Sequence, residues 1–215
     1  MPQNQIGFLF LAAGASTRMR GSDKLLKEID GVPLMQKILD EALSLNFPVF
    51  ATIPANNTKR KLIMSKTNAN IIEVHDADLG MGNSIAKGVI GITKNLNICG
   101  IAICPSDLPG LRLNSLQKLT NYFFKKPKMI CCPVKLGKSE FGHPVIFPQK
   151  YFEQLKLIKG DMGAKFILQK NKKDINRFET EDDSYFIDLD TPEDFNKWNK
   201  QNNSSKRLNR KEKSR

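Results

Sequence analysis

The chain has 215 residues and a net charge of +12, with 40% hydrophobic and 26% charged residues. That length supports one sizeable core, no apolar run approaches the about 20 residues that span a membrane, and "MPQNQIGFLF" has no basic segment ahead of its short apolar stretch, so neither a membrane protein nor a secretory leader is expected. Cys99, Cys104, Cys131 and Cys132 make no C-x-x-C pair, which points to buried, reduced thiols in a cytoplasmic protein rather than a disulfide framework or a zinc site.

Ile6–Leu11 reads as the first strand. Pro33 opens a helix whose Leu34, Ile38, Ala42 and Leu45 share one face. A strand over Pro48–Ile53, a polar helix over Asn57–Lys66 and a strand over Asn70–Val74 follow. "GNSIAKGVIGI" has Ile85, Val89 and Ile92 at helical spacing, and Ile98–Cys104 is apolar or Gly throughout, as in a strand covered on both faces. Next come a helix over Leu113–Phe124, a strand over Met129–Val134 and a short strand within "GHPVIFP". Tyr151–Leu157 and Ala164–Lys170 read as helices, Ile175–Glu179 and Tyr185–Leu189 as strands, and Pro192–Trp198 as a last helix.

Strand and helix alternate through the first two thirds, which predicts an α/β fold: a three-layer Rossmann-like sandwich with a mostly parallel central sheet. Residues 1–199 are expected to form one domain. Residues 200–215 carry seven Lys/Arg against one Glu, with Leu208 their one large apolar residue, and are expected to be a disordered basic tail. Half of the net charge thus lies outside the domain, and nucleic-acid binding is not the expected function.

In such a sheet the ligand lies at the carboxyl ends of the strands. Four segments occupy those positions: Ala12–Lys24, His75–Ser84, Pro105–Gly110 and Lys135–His143. "LAAGASTRMRGSDK" matches neither the Walker loop nor the dinucleotide fingerprint. It nevertheless offers backbone N–H groups, Arg18 to fork onto phosphate oxygens and Lys24 as a point charge. Asp107, between Pro105 and Pro109, suits a Mg²⁺ ligand and equally a cap for the helix that starts near Leu113. Gly80 and Gly82 permit close approach of a ligand, whereas Ser84 is also a candidate cap. His143 fits a substrate contact or packing, and Asp161 a substrate contact or an N-cap. In "DLDTPEDF", Asp188 and Asp190 alternate along the expected strand, so one of them faces the site, while "TPED" reads as a helix start.

Taken in order, "LAAGASTRM" with Lys24, "GMGNSI", "SDLP", "GHPVIF", "GDMGA" and "DLDTPED" resemble the motifs of the MobA-like NTP transferase family, over about residues 6–198. "GHPV" with "GD-x-GA" is similar to its molybdenum cofactor cytidylyltransferase branch. The resemblance implies a nucleotide-diphospho-sugar transferase type of fold and Mg²⁺ as cofactor. It implies that the backbone of Leu11, Ala12, Ala13 and Gly14 reads the base, and that Gly80, Gly82 and Ser84 line the nucleotide pocket. Arg18 and Lys24 would hold the triphosphate and, with Asp107, carry catalysis. Asp107 and Asp190 would bind the metal, with Asp188 the alternative to Asp190, and His143 and Asp161 would lie toward a pterin substrate. Ala13-Gly14, where guanylyl relatives usually carry Gly-Gly, tilts the nucleotide toward CTP, and Ser106 stands where relatives often have Gly. The implied reaction transfers CMP from CTP to the terminal phosphate of a molybdopterin-type cofactor and releases pyrophosphate, with a molybdoenzyme or its chaperone as a further partner. The alternatives are a guanylyl- or sugar/polyol-phosphate nucleotidyltransferase of the same fold, and a non-catalytic chaperone that holds the cofactor.

Overall fold

A computed structural model describes residues 5–95 and 98–201. The basic tail beyond residue 201 lies outside the described residues. Strands β1 (Ile6–Leu11), β4 (Val49–Pro54), β5 (Asn70–Val74), β6 (Gly100–Pro105), β7 (Ile130–Lys135), β8 (Val145–Pro148) and β9 (Ile175–Thr180) form one sheet in the order β5-β4-β1-β6-β8-β7-β9. Only β8 runs antiparallel to its neighbours. The helices are α1 (Leu34–Leu43), α2 (Thr58–Met64), α3 (Met81–Asn95), α4 (Leu113–Lys125), α5 (Phe152–Lys156), α6 (Lys165–Lys170) and α7 (192–201).

The period-2 alternation of strand side chains divides the core between the two faces. Ile6, Phe8 and Phe10 of β1 join α1, α4 and Phe195 of α7 on one side, and Leu9 joins Ile85, Val89 and Ile92 of α3, with α5 and α6, on the other. This is the three-layer α/β sandwich that the alternation of elements predicts. The central strands are apolar throughout because both of their faces are covered. Among the described residues no helix is long and apolar enough to cross a membrane.

Two features depart from expectation. A two-residue ribbon, β2 (Glu28–Ile29) with β3 (Val32–Pro33), precedes α1; its turn is Asp30-Gly31, both at positive φ (57° and 79°), the Asp-Gly hairpin signal. More consequentially, the strand expected over Tyr185–Leu189 does not form. Asp182 caps a 3₁₀ turn at Asp183–Tyr185, and the backbone groups beyond it bond to loops: Tyr185 O accepts from His143 N (2.8 Å) and Leu189 N donates to Asp107 O (3.0 Å). These bonds dock the two ends of the segment on the loops that carry His143 and Asp107 rather than on a neighbouring strand.

Candidate active site

The chain reverses direction across the sheet between β1 and β6: β4 and β5 extend to one side of β1, and β6 with all later strands to the other. Such a switch point opens a crevice at the carboxyl ends of the strands. Leu11 and Pro105, the last residues of β1 and β6, are register partners there, so the loops that follow them flank one cleft of about 630 Å³. Because β8 runs antiparallel, His143, just ahead of it, reaches the same edge.

Lys24 is the hub. It follows Asp23, whose carboxylate accepts Leu25 N (3.1 Å) and caps the 3₁₀ turn Lys24–Leu26. Its ammonium lies 2.5 Å from Asp107 Oδ2 and 2.8 Å from Asp190 Oδ1, and Arg18 pairs with the other oxygen of Asp190. Burial works against the Lys24 charge, but the two carboxylates outweigh it and hold its pKa above the usual lysine value. Asp188 also lines the cleft, and its pKa is raised by desolvation and by the Asp107 and Asp190 charges. The expectation that Asp188 and Asp190 point to opposite sides is therefore corrected: without a strand there is no alternation, and both line the cleft.

Asp107 is not a helix cap. The first N–H of α4, at Leu113, donates to Glu41 Oε2 (2.7 Å). Instead Asp107 Oδ1 is buried with no hydrogen-bond partner among the described residues, an orphaned acceptor at the cleft wall. Such an atom is costly unless a ligand satisfies it. The fragment "TPED" does start a helix: Asp194 Oδ2 accepts from Thr191 N (2.8 Å) and Asp190 N (3.2 Å), while Thr191 Oγ1 accepts from Asp194 N (3.2 Å). This cap fixes the backbone of Asp190.

The loop after β1 lines the same cleft, and among the described residues the N–H groups of Ala13, Gly14, Ala15 and Ser16 donate to no protein acceptor. The Ala12 and Gly14 carbonyls accept from Arg60 Nη1 (2.6 and 2.9 Å), a guanidinium only 2% exposed. Nothing in the sequence marks Arg60, because an arginine in a short polar helix reads as solvated.

Gly80 and Ser84 line the cleft. Gly80 has φ +109°, and a Cβ there would lie 2.4 Å from the carbonyl carbon of Gly160, so only glycine fits. Ala12 and Gly82 do not line it: Ala12 is 1% exposed, and Gly82 packs beneath the 158–162 loop and donates to Gly160 O (2.8 Å). Asp161 also lies outside the lining, with its carboxylate over Gly80; it does not cap α6, whose N-cap is Ala164. His143 faces the cleft beside Phe141, Tyr185 and Phe186. Desolvation lowers its pKa against the opposing pull of Asp107.

The model of the MobA-like NTP transferase domain matches residues 8–175. The chain belongs to this family. Purine catabolism protein PucB of Bacillus subtilis (strain 168) is 28% identical over 196 residues, covering 87% of this chain and 92% of PucB. The crystal structure of Rv0371c from Mycobacterium tuberculosis H37Rv superposes with a TM-score of 0.79 at 22% identity, over 92% of this chain and 98% of Rv0371c. A second crystal structure of Rv0371c, in complex with manganese, gives 0.71 at 19% identity, over 90% and 97% of the two chains. A CMP:2-keto-3-deoxy-manno-octonic acid synthetase complexed with CTP gives 0.71 at 12% identity, over 94% and 99%. These structures share the three-layer α/β sandwich of this MobA-like chain.

The cleft suits a hard divalent cation. Asp107 offers a free buried oxygen, and Asp188 and Asp190 stand beside it. Among the described residues there is no cluster of three or more His, Cys, Asp or Glu side chains poised around a single metal position. One or two carboxylates completed by substrate phosphates and water is the pattern of Mg²⁺ and Mn²⁺ rather than of zinc.

Proposed function

We propose that this MobA-like nucleotidyltransferase transfers CMP from CTP to the terminal phosphate of a molybdopterin-type cofactor in a Mg²⁺-dependent reaction. The observation that supports a phosphate-transfer reading is one cleft lined by both cations and backbone N–H groups without protein acceptors. Lys24 and Arg18 meet the carboxylates of Asp107 and Asp190 in the cleft that the four amides without acceptors also line. That arrangement suits a triphosphate, and it contains no nucleophile-and-base pair for covalent catalysis.

The chemistry needs neither. The acceptor's phosphate oxygen is already anionic; it attacks the α-phosphorus, the bond from that phosphorus to the bridging oxygen breaks, and pyrophosphate departs with the electron pair. The residues align the groups and balance charge. The backbone of Leu11–Gly14 reads the base, the amides of Ala15 and Ser16 with Arg18 and Lys24 hold the triphosphate, and Lys24 stabilises charge building on the leaving group. Asp107 would hold the cation, with Asp190 as second contact once the triphosphate draws Lys24 and Arg18 away from it, or Asp188 in its place. When bound, the cation supplies charge neutralisation at the phosphate oxygens. His143, with Phe141, Tyr185 and Phe186, gives the cleft an aromatic lining, which suits a flat heterocyclic acceptor.

The base preference for CTP rests on Ala13 and on the "GHPV" segment. Pyrophosphate release with CTP, GTP, ATP and UTP in turn, with molybdopterin cofactor and Mg²⁺, tests it: CTP should turn over fastest, and a preference for GTP would move the chain to the guanylyl alternative.

A further inference from the structure

We propose that Arg60 is a positioning residue for nucleotide capture, setting the direction of the loop amides and the place of Lys24 from behind the cleft; this rests on the nucleotide reading above. Its guanidinium has three kinds of partner. Nη1 donates to the carbonyls of Ala12 and Gly14, Nη2 to Ser16 Oγ (3.3 Å), and Nε and Nη2 to the two oxygens of Asp23 (both 2.8 Å).

A trans peptide is planar, with its C=O and N–H pointing in opposite directions. Two peptide carbonyls turned toward Arg60 therefore turn the N–H groups of Ala13 and Ala15 away from it, and both residues line the cleft. Ser16, held by the same guanidinium, has φ +54°, a left-handed conformation that a non-glycine residue keeps only where its surroundings impose it.

Packing does not explain the shape of this loop. Ala13–Thr17 is a partition, with the nucleotide cleft on one side and a second cleft of about 710 Å³ on the other, where Arg60 lies. A side chain at Gly14 would meet nothing within 4 Å. Ala13 is buried, but Gly14, Ala15 and Thr17 are exposed, so beyond Ala13 the loop takes its geometry from hydrogen bonds, and Arg60 supplies them.

The second arm of the device runs through Asp23. Its Oδ1 caps the turn that begins with Lys24, and its Oδ2 also accepts from Asn57 Nδ2 (3.3 Å), while Asn57 Oδ1 caps α2 by accepting from Arg60 N (3.0 Å). One guanidinium thus ties the start of the phosphate loop to the residue at its end, across 48 positions to Ala12 and 37 to Asp23. A buried ion pair is a poor source of stability, so its place here is explained by what it orients.

The test uses Arg60→Lys, which keeps the charge and loses the fork, and the double variant Arg60→Met/Asp23→Asn, which removes both charges and leaves neither buried alone. Steady-state pyrophosphate release is measured with the triphosphate and acceptor varied separately, alongside melting temperature and calorimetric titration with the triphosphate in Mg²⁺. Both variants should melt cooperatively and lose about 10²-fold in kcat/KM for the triphosphate, the scale of a misplacement of about 1 Å. KM for the acceptor should stay within twofold, and triphosphate binding should weaken at least tenfold. A merely structural role would lower the melting temperature and leave these ratios untouched. Wild-type kcat/KM for the triphosphate in either folded variant overturns the proposal. If the wild type binds triphosphate but releases no pyrophosphate, the transferase reading fails while the titration still decides the role of Arg60; a wild type that binds no triphosphate overturns both.

Discussion

Replacing Lys24 by methionine removes the ammonium at the hub of the cleft and keeps most of the stem. In the wild type that charge lies 2.5 Å from Asp107 and 2.8 Å from Asp190, with the side chain 15% exposed. Two unit charges about 4 Å apart are worth about 4 kcal/mol at the effective dielectric of a partly buried site. Part of that is already spent on the carboxylates. The remainder matches the roughly 2.7–4 kcal/mol that one preorganised contact to a transition state contributes. Lys24→Met should therefore lower turnover by about two to three decades at saturating triphosphate and Mg²⁺. Because Lys24 is what separates Asp107 from Asp190, the variant should also gain more melting temperature on adding Mg²⁺ alone than the wild type does. The assay is pyrophosphate release, with thermal melting as control for folding. Turnover within tenfold of wild type in a folded Lys24→Met protein would refute the placement of Lys24 at the reacting phosphates.

Other consequences are testable separately. Asp107→Asn should remove divalent-dependent turnover while the protein still folds; retained activity at any Mg²⁺ concentration would put the metal elsewhere. Gly80→Ala forces a Cβ against the Gly160 backbone and should cost about 1–3 kcal/mol in denaturant unfolding, and an unchanged midpoint would contradict that contact. For Asp182, burial alone would raise the carboxyl, but hydrogen bonds from Ser184 and Ser115 outweigh it and the pKa lies below the usual value. A depressed folded pKa stabilises above the unfolded value, near 3.8, and that stabilisation is lost as pH falls through the folded one. Asp182→Ala should thus cost about 1–2 kcal/mol at pH 7 and progressively less on acidification; a cost independent of pH would show that the carboxylate charge is not what Ser115 and Ser184 hold. Cys104, Cys131 and Cys132 are buried, with burial raising each thiol pKa, Cys132 to about 12. A thiol reagent at pH 8 should reach them only on unfolding, and fast labelling of more than Cys99 in the native protein would contradict their burial.

Most of the fold was legible because its signals are local. The all-apolar runs at Ile6–Leu11 and Gly100–Pro105 and the 3.6-residue spacing of Ile85, Val89 and Ile92 each report a covered strand or a helix face directly. The carboxyl-end rule then brought Lys24, Asp107, Gly80, Ser84 and His143 to one cleft. What escaped was set by distant partners. The stretch Tyr185–Leu189 looks like a strand by composition, yet its two ends bond to the His143 and Asp107 loops. Gly82 and Asp161 look like ligand contacts, yet they serve the packing of the 158–162 loop on α3. Arg60 is silent in sequence because its partners, Ala12, Gly14 and Asp23, are far from it along the chain and two of them are backbone carbonyls.

The most direct test of the central claim is pyrophosphate release by the wild-type chain when CTP, molybdopterin cofactor and Mg²⁺ are supplied together, with Asp107→Asn run in parallel. Pyrophosphate is expected in one-to-one ratio with cytidylylated cofactor, dependent on all three components and lost in the variant. A wild-type protein that binds the cofactor tightly and releases no pyrophosphate from any nucleoside triphosphate would contradict that claim.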